Sequence, residues 1–111
     1  MSRVPQAAPK ADGRVTGHWI GKARREALYE RDGRACVYCQ SPNRGLTLDH
    51  LRPRCKGGSN KSSNLVTACR TCNSVRGHAS LRSFCLDIAS LTNQDWRAVV
   101  ARVRNQRSKK P

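Results

Sequence analysis

The chain has 111 residues, 22 Lys plus Arg against 7 Asp plus Glu, and a formal net charge of +15. Only 37% of residues are hydrophobic and 5% aromatic. The apolar core must therefore be thin, and a domain of this size needs a metal, disulfides or a partner to hold it. No run resembles a signal peptide or is long enough to cross a membrane. The expected compartment is the reducing cytoplasm, where paired cysteines are more often metal ligands than disulfides. The charge points to a polyanion, because each Lys or Arg that meets a phosphate releases a condensed counterion. A membrane surface would require a basic amphipathic helix with large apolar anchors, and the chain has one Phe and two Trp.

Residues 1–17 carry Pro5, Pro9, Gly13 and Gly17 and read as a flexible basic arm. Trp19, Ile20, Ala23, Ala27 and Leu28 recur near helical spacing, which predicts a helix from about Trp19 to Arg31, ended by Asp32-Gly33. Ser41-Pro42-Asn43 reads as a turn and Leu46-Thr47-Leu48 as a short strand. Lys56-Gly57-Gly58-Ser59-Asn60 reads as a loop and Leu65-Val66-Thr67 as a second strand. A short helix is expected from Cys69 to Gly77. Another spans about Leu81 to Ala89, with Phe84, Leu86 and Ile88 available for packing. Thr92-Asn93-Gln94-Asp95 resembles a capping box opening a last helix with Trp96, Val99, Val100 and Val103. The expected units are the arm 1–17, a central domain 18–78, a helical extension 79–103 and a basic disordered tail 104–111.

Cys36-Val37-Tyr38-Cys39 and Cys69-Arg70-Thr71-Cys72 are two Cys-x-x-Cys turns with 29 residues between Cys39 and Cys69. Such a turn lets two thiolates reach one ion, and two turns complete a tetrahedron around zinc with sulfur about 2.3 Å from the metal. Four sulfurs fill the shell, so the favoured reading is a structural zinc on Cys36, Cys39, Cys69 and Cys72. The competing readings are a redox dithiol, which belongs in a βαβ context not found here, and simple buried cysteines. Cys85 fits a helix core and Cys55 a basic loop.

Asp49-His50 follows the first strand, and Asn64 and Asn73 come later. A lone His is usually a surface or satisfied core residue. Phosphodiester hydrolysis, however, needs a base for water and a hard cation on the phosphate, and neutral imidazole serves as such a base. Carboxylate and amide oxygens suit magnesium or manganese, and an Asn can fix the tautomer of a catalytic His. Residue types alone do not assign these roles.

The order Cys-x-x-Cys, Asp-His, Pro, Gly-Gly, Asn-Leu, Cys-x-x-Cys-Asn and a basic residue resembles the HNH endonuclease family in its four-cysteine, zinc-bearing branch, over about residues 19–77. The resemblance implies a small α+β fold: a ββα-metal finger stapled by a four-cysteine zinc site and flanked by helices. It implies metal-dependent hydrolysis of DNA, with His50 as general base and Asp49 and Asn73 as ligands of the catalytic cation, Mg2+ or Mn2+. Asn64 would orient His50 and tie down the loop. Arg76, where the family often has Lys, would contact a phosphate, stabilise transition-state charge or merely bind the backbone, three readings of equal weight. The third family position is His by name and Asn73 here, an uncharged ligand that implies modest cation affinity. The implied partner is DNA, bound by a monomer or a transient dimer. Free-standing nucleases of this size resemble those of phages and mobile elements, including ones near packaging genes, so phage packaging proteins are a further expected partner by analogy. The alternative is a non-catalytic, zinc-stabilised nucleic-acid-binding module. A zinc adaptor for protein partners gives no reason for the charge.

Overall fold

The computed structural model describes residues 20–42 and 45–111. The expected arm 1–17, Trp19 and Asn43 lie outside them. The elements are α1 (Lys22–Arg31), β1 (Leu46–His50), β2 (Leu65–Cys69), α2 (Arg70–Arg76), α3 (Leu81–Thr92) and α4 (Trp96–Ser108). β1 and β2 form an antiparallel pair, with Leu46 opposite Cys69 and His50 opposite Leu65. α2 follows β2 without a loop, which completes a strand–strand–helix unit.

Every residue of β2 is buried, so the edge of β2 that β1 does not cover must find partners inside the protein. Side chains and the first knuckle supply them. Asp32 Oδ2 accepts from the Thr67 amide at 2.8 Å, and Arg31 donates to the Leu65 carbonyl at 2.6 Å. The Val37 amide donates to the Thr67 carbonyl at 2.9 Å. Asp32 and Arg31 are themselves an ion pair at 2.7 Å with both side chains almost fully buried. Asp32-Gly33 thus ends the first helix as expected and also docks it to the hairpin. Leu28 of α1 packs with Ile20, Leu65 and Leu48 in a small second core.

The main core joins the first cysteine turn (Cys36, Val37, Tyr38) to Val66 and Ala68 of β2 and to Phe84, Cys85, Ile88, Ala89, Val99 and Val103 of the last two helices. The Tyr38 and Phe84 rings meet edge to face with centroids 4.9 Å apart. Gln94 donates to the Tyr38 carbonyl at 3.1 Å, and Arg102 donates to the Val37 carbonyl at 2.8 Å. Residues 79–103 therefore share one core with the finger.

Three local expectations change. Leu86 is 42% exposed, because the buried stripe of α3 is Phe84, Cys85, Ile88 and Ala89, and a residue two positions from Phe84 falls on the opposite side. Thr92 is the last residue of α3, not a cap; Asn93 closes that helix in the left-handed region at φ 56°, and the Asp95 side chain caps α4 by accepting from the Arg97 amide. α4 runs on to Ser108, so residues 104–108, expected in the disordered tail, continue the helix.

The loop between the strands makes a 3-10 turn at Arg54–Lys56 that ends at Gly57 with φ 87°. Gly58 lies so close to the preceding chain that a Cβ there would sit 1.7 Å from the Arg52 carbonyl oxygen. Gly58→Ala is therefore expected to cost about 3 kcal/mol or more, since the backbone must move. Gly57→Ala should cost about 1–2 kcal/mol of left-handed strain. Urea unfolding of both variants checks the order, and equal losses would contradict the close approach.

Candidate active site and metal centre

Among the described residues, the sulfurs of Cys36, Cys39, Cys69 and Cys72 all lie within 4.8 Å of one another. Cys39 Sγ and Cys69 Sγ are 3.8 Å apart, the edge of a tetrahedron with bonds of about 2.3 Å. In each turn the fourth residue's amide donates to the first sulfur, Cys39 to Cys36 at 3.5 Å and Cys72 to Cys69 at 3.3 Å. Such bonds stabilise thiolates, the form that binds metal. A hydrogen bond from Cys72 holds the Cys36 thiol down at about 5, and Cys72 is pushed well up in exchange. The donor set and its spacing fit zinc. Cys69 ends β2 and caps α2, so the second turn sits on the strand–helix junction. Cys85 is buried and Cys55 exposed, both apart from the cluster.

Strand alternation divides β1. Asp49 turns inward and is 4% exposed. Its Oδ2 accepts from Arg76 Nη1 at 2.5 Å and from the Tyr38 hydroxyl. Burial pushes the Asp49 carboxyl up, against the pull of Arg76 and Tyr38. Burial and the Asp49 carboxylate push the Tyr38 hydroxyl up as well, so it remains a donor. For Arg76 burial acts downward, but Asp49 and Tyr38 together outweigh it and the net shift is upward.

Arg76, for which phosphate, transition-state and backbone contacts are equally expected, is 2% exposed. It also donates to the carbonyls of Leu51 at 2.7 Å, Ala79 at 3.1 Å and His50 at 3.2 Å. These bonds fix the end of β1 against α2 and leave the guanidinium facing protein rather than solvent. The physical reason is that Asp49 points into the core, and a buried carboxylate requires a cationic partner. Tyr38 joins the same network from between the first two cysteines, a link that local spacing does not signal.

Asn73, half-buried on α2, donates from Nδ2 to Thr47 Oγ1 at 2.9 Å and to the Leu48 carbonyl at 3.2 Å. Both bonds leave from the amide nitrogen, so they do not use Oδ1, the atom that binds a cation. Likewise both side-chain bonds of Asp49 fall on Oδ2. One oxygen of each residue is thus not consumed by these bonds, and carboxylate and amide oxygens are donor types that a hard divalent ion takes.

His50 is half-buried, and burial lowers its pKa from 6.5. Its Nε2 lies 2.7 Å from Asn60 Oδ1. Asn64 makes no bond to this ring. Its Oδ1 accepts from the Arg52 amide at 2.8 Å, and its Nδ2 donates to the carbonyls of Ser59 at 2.8 Å and Arg52 at 3.2 Å. The Leu51 amide donates to the Asn64 carbonyl at 2.9 Å. Asn64 therefore ties the loop, but the amide that touches His50 belongs to Asn60. Both asparagines lie on the return path to β2, and only the loop's backbone course decides which reaches the ring. Arg52, Arg54, Lys56 and Lys61 are exposed along this same loop.

Residues 36–85 match the model of a family described as HNH endonuclease. No curated protein matches the chain.

Proposed function

We propose, for a chain whose residues 36–85 belong to the HNH endonuclease family, that it is a metal-dependent endonuclease hydrolysing DNA phosphodiester bonds. The observation that carries this reading is the hairpin end itself: a half-buried His50 whose pKa is lowered by burial, following a buried Asp49 in β1, with Asn73 of α2 bonded to the same strand at Thr47 and Leu48. Neutral imidazole takes a proton from water at physiological pH. Asp49 Oδ1 and Asn73 Oδ1 would hold one divalent cation, Mg2+ or Mn2+. When bound, that cation polarises the phosphoryl oxygen and stabilises the leaving oxygen. Arg76 and Tyr38 hold Asp49 in place, and Asn64 holds the loop that follows His50. The exposed basic side chains of the 52–61 loop, with a net charge of +15, supply contacts to the DNA backbone, which position a duplex without reading its sequence.

The cysteine cluster holds zinc away from this chemistry. No helix among the described residues is long and apolar enough to cross a membrane. Cytoplasmic action on DNA, by a monomer or a transient dimer, belongs to the proposal, as does an association with phage packaging proteins.

The test is plasmid cleavage by purified protein with Mg2+ or Mn2+. Nicked or linear product is the expected result, and intact plasmid with both metals refutes the proposal. One observation favours the alternative of a non-catalytic nucleic-acid-binding module: the Arg76–Asp49 pair occupies charge that a cation would use. Asp49 variants separate the readings. Asp49→Ala also strands a buried Arg76 and should lose about 3–5 kcal/mol of stability, so Asp49→Asn is the cleaner probe. It should raise the metal concentration for half-maximal cleavage at least tenfold while zinc content stays at one ion per chain. Unchanged metal dependence would remove Asp49 from the cation site.

A further inference from the structure

Asn60 lies ten positions beyond His50, at the far end of the Gly57-Gly58 loop, yet its side-chain oxygen meets the imidazole at 2.7 Å. Two further contacts hold it there. Arg54 Nη1 donates to the same Oδ1 at 3.1 Å, and Arg24 of α1 donates to the Asn60 backbone carbonyl. The Arg54 contact settles the chemistry of the amide. A guanidinium only donates, so the atom between Arg54 and His50 must be the amide oxygen. An amide oxygen only accepts, so the His50 Nε2 facing it must carry the proton. In a neutral ring the lone pair then resides on Nδ1.

We propose that Asn60, its amide oriented by Arg54, is the positioning residue for His50: it holds the ring as the Nε2–H tautomer and turns Nδ1 over to proton acceptance. The inference rests on His50 being the base, as read above, and extends it by naming the nitrogen and the side chain that fixes it. Arg54, exposed and basic, thereby has a use besides a phosphate contact. A hydrogen bond to the second nitrogen of a working imidazole fixes both its tautomer and its orientation, and loss of such a partner typically costs 10–100-fold in activity.

Two measurements test this. Long-range 1H–15N correlation on 15N-histidine-labelled protein reads the tautomer directly, with the His50 signals assigned by their loss in His50→Ala. Wild type should show Nε2 protonated and Nδ1 bare at neutral pH; the opposite tautomer overturns the proposal. This readout needs no nucleic acid, so it stands or falls separately from nuclease activity. The second measurement is single-turnover cleavage. Asn60→Ala should lower the rate constant 10–100-fold with little change in DNA affinity, and Asn60→Asp, which keeps the acceptor, should recover most of it. An Asn60→Ala rate within twofold of wild type, or equal losses in the Ala and Asp variants, overturns the positioning role.

Discussion

His50→Ala is expected to lower DNA cleavage by about 10²–10⁴-fold, the usual share of a positioned general base, while zinc content and thermal melting stay near wild type. Stability should hold because the imidazole is only half-buried and, among the described residues, its side-chain bond goes to Asn60 on a loop. The strand around it is fixed by other groups: Arg76 on the His50 and Leu51 carbonyls, and Asn64 on the Arg52 amide. The pH profile adds a second readout. Cleavage by wild type should rise with pH through a midpoint below 6.5, because burial lowers the His50 pKa, and should be level from there to neutrality. The sign for stability is the same. A histidine whose folded value lies below its unfolded one contributes stability that is complete above about 6.5 and lost as pH falls through the folded value. Plasmid nicking assayed across pH 5–8 measures the limb. Residual cleavage in His50→Ala equal to wild type would remove His50 from the reaction.

Cys36→Ser is expected to abolish folding. Structural zinc contributes about 10–16 kcal/mol in small zinc-binding peptides, as large as the whole stability of a typical domain at about 5–15 kcal/mol. The structure explains why the loss should be global. The turn Cys36–Cys39 carries Val37 and Tyr38 into the main core, receives Arg102 and Gln94 from the far helices, and sends the Tyr38 hydroxyl to Asp49. Releasing that turn unlocks the core, the last two helices and β1 together. Metal analysis and circular dichroism should show less than one zinc per chain and no cooperative melt, and a chelator should reproduce this in wild type. The control is Cys55→Ser, an exposed thiol outside the cluster, which should melt like wild type with full zinc. If Cys36→Ser keeps both its melt and its zinc, the four-cysteine site is misassigned.

What local chemistry dictates was legible in the chain. The Cys-x-x-Cys spacing names four ligands, and those four sulfurs converge. Alternation in Leu46-Thr47-Leu48 and the apolar run Leu65-Val66-Thr67 specify two strands, and the strands pair with Asp49-His50 at their end. Gly77 stops α2 with φ 52°, as a residue without a Cβ allows. The last helices were legible by type but not by boundary. Thr92 and Asp95 are both plausible caps by residue type, and the choice fell to Asp95 because the helix carrying Phe84, Ile88 and Ala89 runs on to Thr92.

The cysteine pairs, the two strands and the family motif can be read along the chain because each piece is marked by residues a few positions apart. The uses of the long polar side chains emerge only on folding. Along the chain Arg76 reads equally as a phosphate, transition-state or backbone contact, and a buried Asp49 draws it inward and commits it to the protein. The motif along the chain singles out Asn64 for His50, but the path of the loop across Gly57 and Gly58 gives the imidazole to Asn60 and the backbone to Asn64. Tyr38 lies between two cysteines of the cluster, and only folding brings its hydroxyl to Asp49 of β1. Partners of that kind are chosen by burial and by which face a strand turns inward, and both are properties of the assembled core.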